Sequence, residues 1–125
     1  MKRILTVGVF DLLHFGHMEL FRKAKALGDH LIVAVQDDEN VVKFKPGTKL
    51  TYNTEQRCYM VASIRYVDEV VVYKNAESIV QEVDFDVFAR GQTRQIPVSK
   101  LPKNGARLTR KKSSFFRAQK AFLHP

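Results

Sequence analysis

The stretch RILTVGVFDLLHFGHMELFRKAKALGD, residues 3–29, decides the fold of this chain. Residues 3–10 are apolar and rich in β-branched side chains, which is typical of a strand buried on both faces of a sheet. The segment from Gly16 carries apolar side chains at helical spacing, and Gly28 predicts its end. These side chains are Met18, Leu20, Phe21, Ala24 and Leu27. A buried strand, a short loop and a helix in this order predict the start of a parallel α/β sheet.

The same alternation continues along the chain as far as residue 89. Three further apolar runs predict buried strands, namely HLIVAVQ (30–36), DEVVVY (68–73) and DFDVFA (84–89). Two segments predict helices, namely TEQRCYMVASIRYV (54–67) and AESIVQEV (76–83). The predicted fold class is therefore α/β, a parallel sheet with flanking helices.

Residues 37–53, DDENVVKFKPGTKLTYN, predict a long polar loop that carries Lys43, Lys45 and Lys49. Thr54 is the predicted N-cap of the helix that follows this loop. Met60, Val61 and Ile64 are predicted to face the core, as is the single cysteine, Cys58.

Charge divides the chain into two unequal parts. Residues 1–89 hold 11 lysines and arginines against 13 acids, whereas residues 90–125 hold 10 lysines and arginines and no acid. The first part is predicted to be a mildly acidic globular domain and the second a basic, poorly structured tail. With one cysteine and no apolar run of about 20 residues, the sequence favours a cytoplasmic protein without disulfides or membrane spans.

The loop after the first predicted strand holds the candidate chemistry. In a parallel sheet, ligands bind where the strands end, and here the sequence reads GVFDLLHFGH. Gly8 and Gly16 allow a close backbone approach, and Gly16 precedes a helix N-terminus that favours an anion. His14 and His17 could stabilise a phosphoryl transition state, cap the helix, or lie on the surface. Metal ligation is a further option, but no other histidine or cysteine nearby completes a zinc set.

At these residues the chain resembles the cytidylyltransferase family of nucleotidyltransferases, most nearly the glycerol-3-phosphate cytidylyltransferases. The family's HxGH motif matches His14–His17, and its G-x-F-D motif matches Gly8–Asp11. The similarity continues through KFKP, TEQR and IRYVDEVV to about residue 89. The resemblance implies a Rossmann-like nucleotidyltransferase domain in residues 1–89.

The resemblance also implies a reaction and a role for each matching residue. The reaction is transfer of CMP from CTP to a phosphorylated alcohol, such as glycerol 3-phosphate, with Mg²⁺, in a homodimer. His14, His17 and Lys45 are the implied catalytic residues, and Lys43 and Arg57 the implied substrate contacts. The implied nucleotide pocket is lined by Val9, Phe10, Asp11 and Gly16, and no metal ligand is implied in the chain itself.

The resemblance stops near residue 89. The family continues with a GPDQ or GEDW segment, a further strand and an R-T-x-G-I-S motif, whereas this chain reads ARGQTRQIPVSK and ends in KKSSFFRAQKAFLHP. Reading the third base of each codon with the next two bases permits G-P-D-Q near Gly91. The same reading permits an apolar strand after Lys112 and R-T-E-G-I-S-S beyond Phe116. We interpret residues 90–125 as a frameshifted translation of the family's C-terminal third, which leaves the domain incomplete.

Three other roles for the chain stand beside the transfer reaction. The chain could be a catalytically inactive fragment that retains nucleotide binding or dimerisation, and the missing R-T-x-G-I-S motif supports this. A nucleic-acid-binding arm would need a folded cationic face, which the tail's pattern does not predict. A membrane-bound helix is disfavoured because the tail has no amphipathic period. We therefore predict no nucleic-acid or membrane partner.

Overall fold

The structure is a computed structural model that describes residues 1–90 and 94–97. The strands are β1 (Arg3–Gly8), β2 (His30–Gln36), β3 (Glu69–Tyr73), β4 (Val87–Arg90) and β5 (Arg94–Pro97). The helices are α1 (Phe15–Ala26), α2 (Asp38–Phe44), α3 (Thr54–Ala62) and α4 (Ala76–Glu82). Within the described residues, no helix has both the length and the apolar character that crossing a bilayer requires.

The strands form one sheet in the order β3-β2-β1-β4-β5. β1 to β4 run parallel, which confirms the α/β prediction, and β5 pairs antiparallel with β4. β1 and β2 are in register from the Arg3–His30 pair to the Gly8–Val35 pair. The carboxyl ends of β1, β2 and β3 therefore lie side by side, and the loops that follow them share one edge of the sheet.

Helices cover both faces of the sheet, as the alternation along β2 shows. Leu31, Val33 and Val35 pack on the face that carries α1 and α3, whereas Ile32 and Ala34 pack on the face that carries α4. The first face also buries residues predicted for the core from helical spacing. These are Phe21, Ala24, Cys58 and Val61, with Met18, Leu20, Leu27 and Ile64 packed against them. Burial on both faces explains why the strands are continuous apolar runs.

The predicted loop 37–53 contains a helix that the sequence analysis missed. In α2, the Asp37 carboxylate caps the first turn by accepting a hydrogen bond from the Asn40 backbone N–H at 2.8 Å. Val41 alone anchors this short helix in the core, so its apolar pattern is too weak to predict a helix. The N-cap of α3 is Asn53 rather than Thr54. Its carboxamide oxygen accepts a hydrogen bond from the Gln56 backbone N–H, and its backbone N–H donates to the carboxamide oxygen of Gln56.

The boundary predicted after residue 89 is crossed by the sheet. Arg90 belongs to β4, and β5 lies within the segment predicted as a poorly structured tail. The β4–β5 pairing runs from Arg90–Arg94 to Val87–Pro97. Four residues without apolar alternation gave no strand signal in the sequence. The rest of the predicted tail lies outside the described residues.

Candidate functional site

Two histidines cap the helix that follows β1. The ring of His14 accepts a hydrogen bond at Nδ1 from the backbone N–H of Gly16, at 3.0 Å. In return, the backbone N–H of His14 donates to Nδ1 of His17 at 3.3 Å. His14 is therefore the N-cap of α1, one of the roles that the sequence left open. The cap occupies Nδ1 of each ring, so Nε2 is the nitrogen that can meet a ligand.

The capping bonds also determine where each neutral ring carries its proton. Because Nδ1 accepts a hydrogen bond, the proton of a neutral ring lies on Nε2. The two rings stack with their centroids 4.0 Å apart and an interplanar angle of 28°. Partial burial lowers the pKa of His17, and the neighbouring His14 lowers it further. At neutral pH His17 thus offers an uncharged N–H donor rather than a positive charge.

The two glycines of the motif leave room for rings of the protein itself. A Cβ on Gly16 would lie 2.8 Å from Cε1 of His14, and a Cβ on Gly8 would lie 2.6 Å from Cζ of Phe10. Both distances are shorter than a carbon–carbon contact allows, so a side chain at either position would displace a neighbouring ring. Besides allowing a ligand to approach, the glycines allow the loop to fold tightly on itself.

Phe10 makes the turn out of β1 through an unusual backbone conformation. Its φ of 54° lies in the left-handed region, which costs a residue with a side chain about 1–2 kcal/mol. The ring is buried, 5% exposed, and its burial in the core offsets that cost. The turn changes the direction of the chain after β1. Asp11 and the residues that follow it therefore do not continue the line of the strand.

Asp11 ties this loop to the segment that leads into α3. Its carboxylate oxygens accept hydrogen bonds from the backbone N–H groups of Thr51 at 2.8 Å and Tyr52 at 2.9 Å. Burial alone would raise the pKa of Asp11, but these two bonds and the charge of Arg57 outweigh it and lower the pKa. Asp11 therefore stays ionised and holds the far end of the lysine-bearing segment 38–50 against the β1–α1 loop.

Arg57 joins three loops at the carboxyl edge of the sheet. Its side chain is fully buried, and its guanidinium donates to the carbonyl oxygens of Val9 at 2.9 Å, Gln36 at 2.7 Å and Tyr52 at 3.0 Å. It also forms an ion pair with Asp38, at the start of α2. Arg57 is predicted above as a substrate contact, but in this structure all three guanidinium nitrogens donate to the protein. We therefore treat it as the support of the site.

Replacing Arg57 with methionine should destabilise the whole domain. The change leaves three carbonyl oxygens without their donor, and we expect the free energy of unfolding to fall by about 3 kcal/mol or more. Urea unfolding followed by circular dichroism measures this. The matched control is Arg22→Met, because Arg22 is exposed and its ion pair within residues 1–90 and 94–97 is with Glu19 on its own helix. Equal unfolding midpoints for both variants would contradict the supporting role of Arg57.

Lys43 and Lys45 lie where α2 ends, at the carboxyl edge of the sheet. Lys43 is in the last turn of α2 and Lys45 is its C-cap, and both side chains are exposed. Among the described residues, no hydrogen bond or ion pair holds either ammonium group. Gly47 follows with a φ of 88°, so the chain turns sharply just after the lysines. Within the part of the chain that the structure describes, both ammonium groups are therefore available to an anion.

The structure brings together most of the residues predicted for the site. They lie in the loop after β1 and the first turn of α1, and Arg57 donates a hydrogen bond to this loop; the residues are Val9, Phe10, Asp11, His14, Gly16 and His17. Two residues of this region were not predicted as parts of the site. Asp38 pairs with Arg57, and the Thr54 hydroxyl accepts a hydrogen bond from the Asp38 backbone N–H at 2.9 Å. The only signal for Asp38 was its place two residues after a predicted buried strand.

The side chains of this region do not form a metal-binding cluster among the described residues. In residues 1–90 and 94–97, no three histidine, cysteine, aspartate or glutamate side chains gather as a metal site would require. Asp11, Asp37 and Asp38, carboxylates at this edge of the sheet, are each engaged by protein donors. The described residues thus do not fit a Mg²⁺ ion held by the protein alone.

Comparison with known proteins identifies the family. The sequence profile of the cytidylyltransferase-like family matches residues 5–114. The chain belongs to the cytidylyltransferase-like family. By family it is an enzyme, a cytidylyltransferase, and the resemblance carried by Gly8–His17 is confirmed.

Individual relatives show the range of the family. The glycerol-3-phosphate cytidylyltransferase of Staphylococcus aureus is 50% identical over 95 residues, covering 73% of this chain and 70% of that protein. The FAD synthase of Picrophilus torridus is 36% identical over 103 residues, covering 81% of this chain and 73% of that protein. Among solved structures, a lipopolysaccharide core biosynthesis protein from Thermoplasma volcanium superposes with a TM-score of 0.66 at 28% identity. That superposition covers 71% of this chain and 73% of the other.

Proposed function

We propose that this protein descends from enzymes that transfer CMP from CTP to a phosphorylated alcohol, glycerol 3-phosphate in the first instance. The observation that carries the proposal is the pair of histidines that cap α1 through Nδ1 and keep Nε2 for a ligand. The 50% identity to a protein named glycerol-3-phosphate cytidylyltransferase supports the choice of nucleotide and acceptor.

In the proposed reaction, a phosphate oxygen of the alcohol attacks the α-phosphorus of CTP. A new P–O bond forms to the α-phosphorus, and the bond from the α-phosphorus to the oxygen that bridges it to the β-phosphorus breaks. The products are a CDP-alcohol and pyrophosphate. The Nε2–H groups of His14 and His17 donate to the phosphate oxygens on which negative charge develops. The helix N-terminus at Gly16 adds backbone N–H groups of the same polarity.

Other residues hold the substrates in place. Backbone at Val9 and Phe10 lines the nucleotide pocket, and Asp11 keeps the loop closed against residues 51–52. Lys43 and Lys45 screen the repulsion between the two anionic substrates as they approach. A Mg²⁺ ion would be held mainly by the substrate phosphates and water, and it would supply charge neutralisation there. The proposal also includes that the protein acts in the cytoplasm as a homodimer.

A second candidate is an inactive protein that binds nucleotide or a second copy of itself. It is favoured by the absence of an R-T-x-G-I-S motif from the printed sequence. The two candidate functions are compatible under the frameshift interpretation. The corrected chain is the active transferase, and the chain as written is the inactive protein.

A substrate panel tests the proposed reaction. We expect the frame-corrected chain to release pyrophosphate with CTP and glycerol 3-phosphate, and at least about 10²-fold more slowly with ATP, GTP or UTP, because a hydrogen-bonded base pocket rejects a mismatched base. Mass spectrometry of the product verifies a CDP-alcohol. Preference for ATP, or release without an acceptor, would contradict the assignment of nucleotide or acceptor class.

A further inference from the structure

The ring of Phe10 lies beneath the histidine pair. Its centroid is 5.3 Å from that of His17, with an interplanar angle of 80°, an edge-to-face contact. On its other side it packs at 5.2 Å against Phe21, a fully buried residue of α1. The ring of His17 therefore contacts both the stacked ring of His14 and the ring of Phe10.

The backbone of the loop is arranged to keep this ring in place. Phe10 adopts a φ of 54°, and Gly8 has no side chain where the ring passes. A Cβ at Gly8 would meet three ring atoms of Phe10 at 2.6–3.0 Å. A positive φ is unfavourable for a residue as large as Phe10, and a glycine within a strand, such as Gly8, is unfavourable as well. The close approach of the Phe10 ring to Gly8 accounts for both features.

We propose that Phe10 is a positioning residue, whose side chain fixes the orientation of the His17 ring so that Nε2 faces the ligand. The proposal rests on the proposed function, in which Nε2–H of His17 donates to the substrate phosphates. It assigns the side chain of Phe10 a role distinct from the lining of the nucleotide pocket by its backbone. A fixed ring loses no rotational freedom when the ligand binds, which is how a preorganised donor is most effective.

The test is Phe10→Leu, compared with Phe21→Leu as the matched control. Both variants remove one buried aromatic ring from the same cluster, but of the two rings only that of Phe10 makes a ring–ring contact with His17. The readout is NMR of the His17 ring in the full chain without nucleotide: its titration midpoint and its χ1 coupling constants. We expect Phe10→Leu to move the midpoint up towards an ordinary histidine value and to average the couplings, while Phe21→Leu leaves both unchanged.

Gly8→Ala provides a second variant in case Phe10→Leu does not fold. It retains Phe10 and displaces its ring, so the same changes at His17 are expected. An unchanged midpoint and unchanged couplings in whichever variant folds would overturn the proposal. So would equal changes in Phe21→Leu, because they would show a general loosening of the core.

Kinetics separate this proposal from the proposed function. In a chain that turns over, Phe10→Leu should lower kcat by about 10- to 10²-fold with little change in KM for CTP, since a misplaced donor weakens the transition state most. If the NMR changes appear in a protein that never transfers CMP, the positioning stands and the proposed function fails. If turnover is normal and the NMR is unchanged, the positioning alone fails.

Discussion

A one-base correction near codon 89 is expected to raise CTP-dependent pyrophosphate release by at least about 10³-fold over the chain as written. A triphosphate carries about four negative charges and needs donors on more than one side. The described residues supply one side, with His14 and His17 at the start of α1. The corrected reading supplies the other side, with an arginine, hydroxyl groups and a second helix N-terminus in R-T-E-G-I-S-S.

The assay is pyrophosphate release with glycerol 3-phosphate, run on the corrected chain and the chain as written. A third protein that ends at Pro97 is the control, because it lacks residues 98–125 in either reading. We expect it to be as inactive as the chain as written. Comparable activity in the corrected and uncorrected chains would contradict the frameshift interpretation. Activity in the shortened protein would show that the phosphate donors of R-T-E-G-I-S-S are not needed.

The second large effect is expected from His14→Asn in the corrected chain. Asparagine is a good N-cap, so its side-chain oxygen can replace Nδ1 as acceptor for the Gly16 backbone N–H. With that oxygen in place of Nδ1, the amide NH₂ of asparagine takes the position of Cδ2 and no donor stands at the position of Nε2. We therefore expect turnover to fall by about 10²–10⁴-fold while the unfolding midpoint stays close to that of the parent.

His14→Ala and His17→Ala complete this series. His14→Ala removes the cap as well as the donor, so it should lose stability by about 1 kcal/mol in addition to turnover. His17→Ala should match His14→Asn in turnover. Near-normal turnover in His14→Asn with impaired His14→Ala would show that His14 acts only as a cap, and the proposed role in transfer would fail for that residue.

The sequence predicted the parallel strands and the site loop because both depend on local patterns. The apolar run at residues 3–10 and the helical spacing after Gly16 each specify one element without help from the rest of the chain. The motif then placed His14 and His17 at the end of a buried strand, where a parallel sheet binds ligands.

The parts that the sequence did not predict depend on contacts between distant residues. The roles of Asp11 and Arg57 follow from hydrogen bonds to backbone groups 40 or more positions away, which leave no local pattern. Helix α2 rests on one buried valine, and β5 exists through its pairing with β4. The conformation of Phe10 is a further case, since a positive φ at phenylalanine runs against its own preference.

The most direct test of the account is long-range ¹H–¹⁵N NMR of the His14 and His17 rings in the corrected chain, with and without saturating CTP. The structure predicts that both neutral rings carry their proton on Nε2, and that CTP shifts the Nε2 resonances of both rings more than their Nδ1 resonances. A proton on Nδ1 of either ring, or Nε2 resonances that CTP leaves unmoved, would contradict the claim that these histidines face the phosphates.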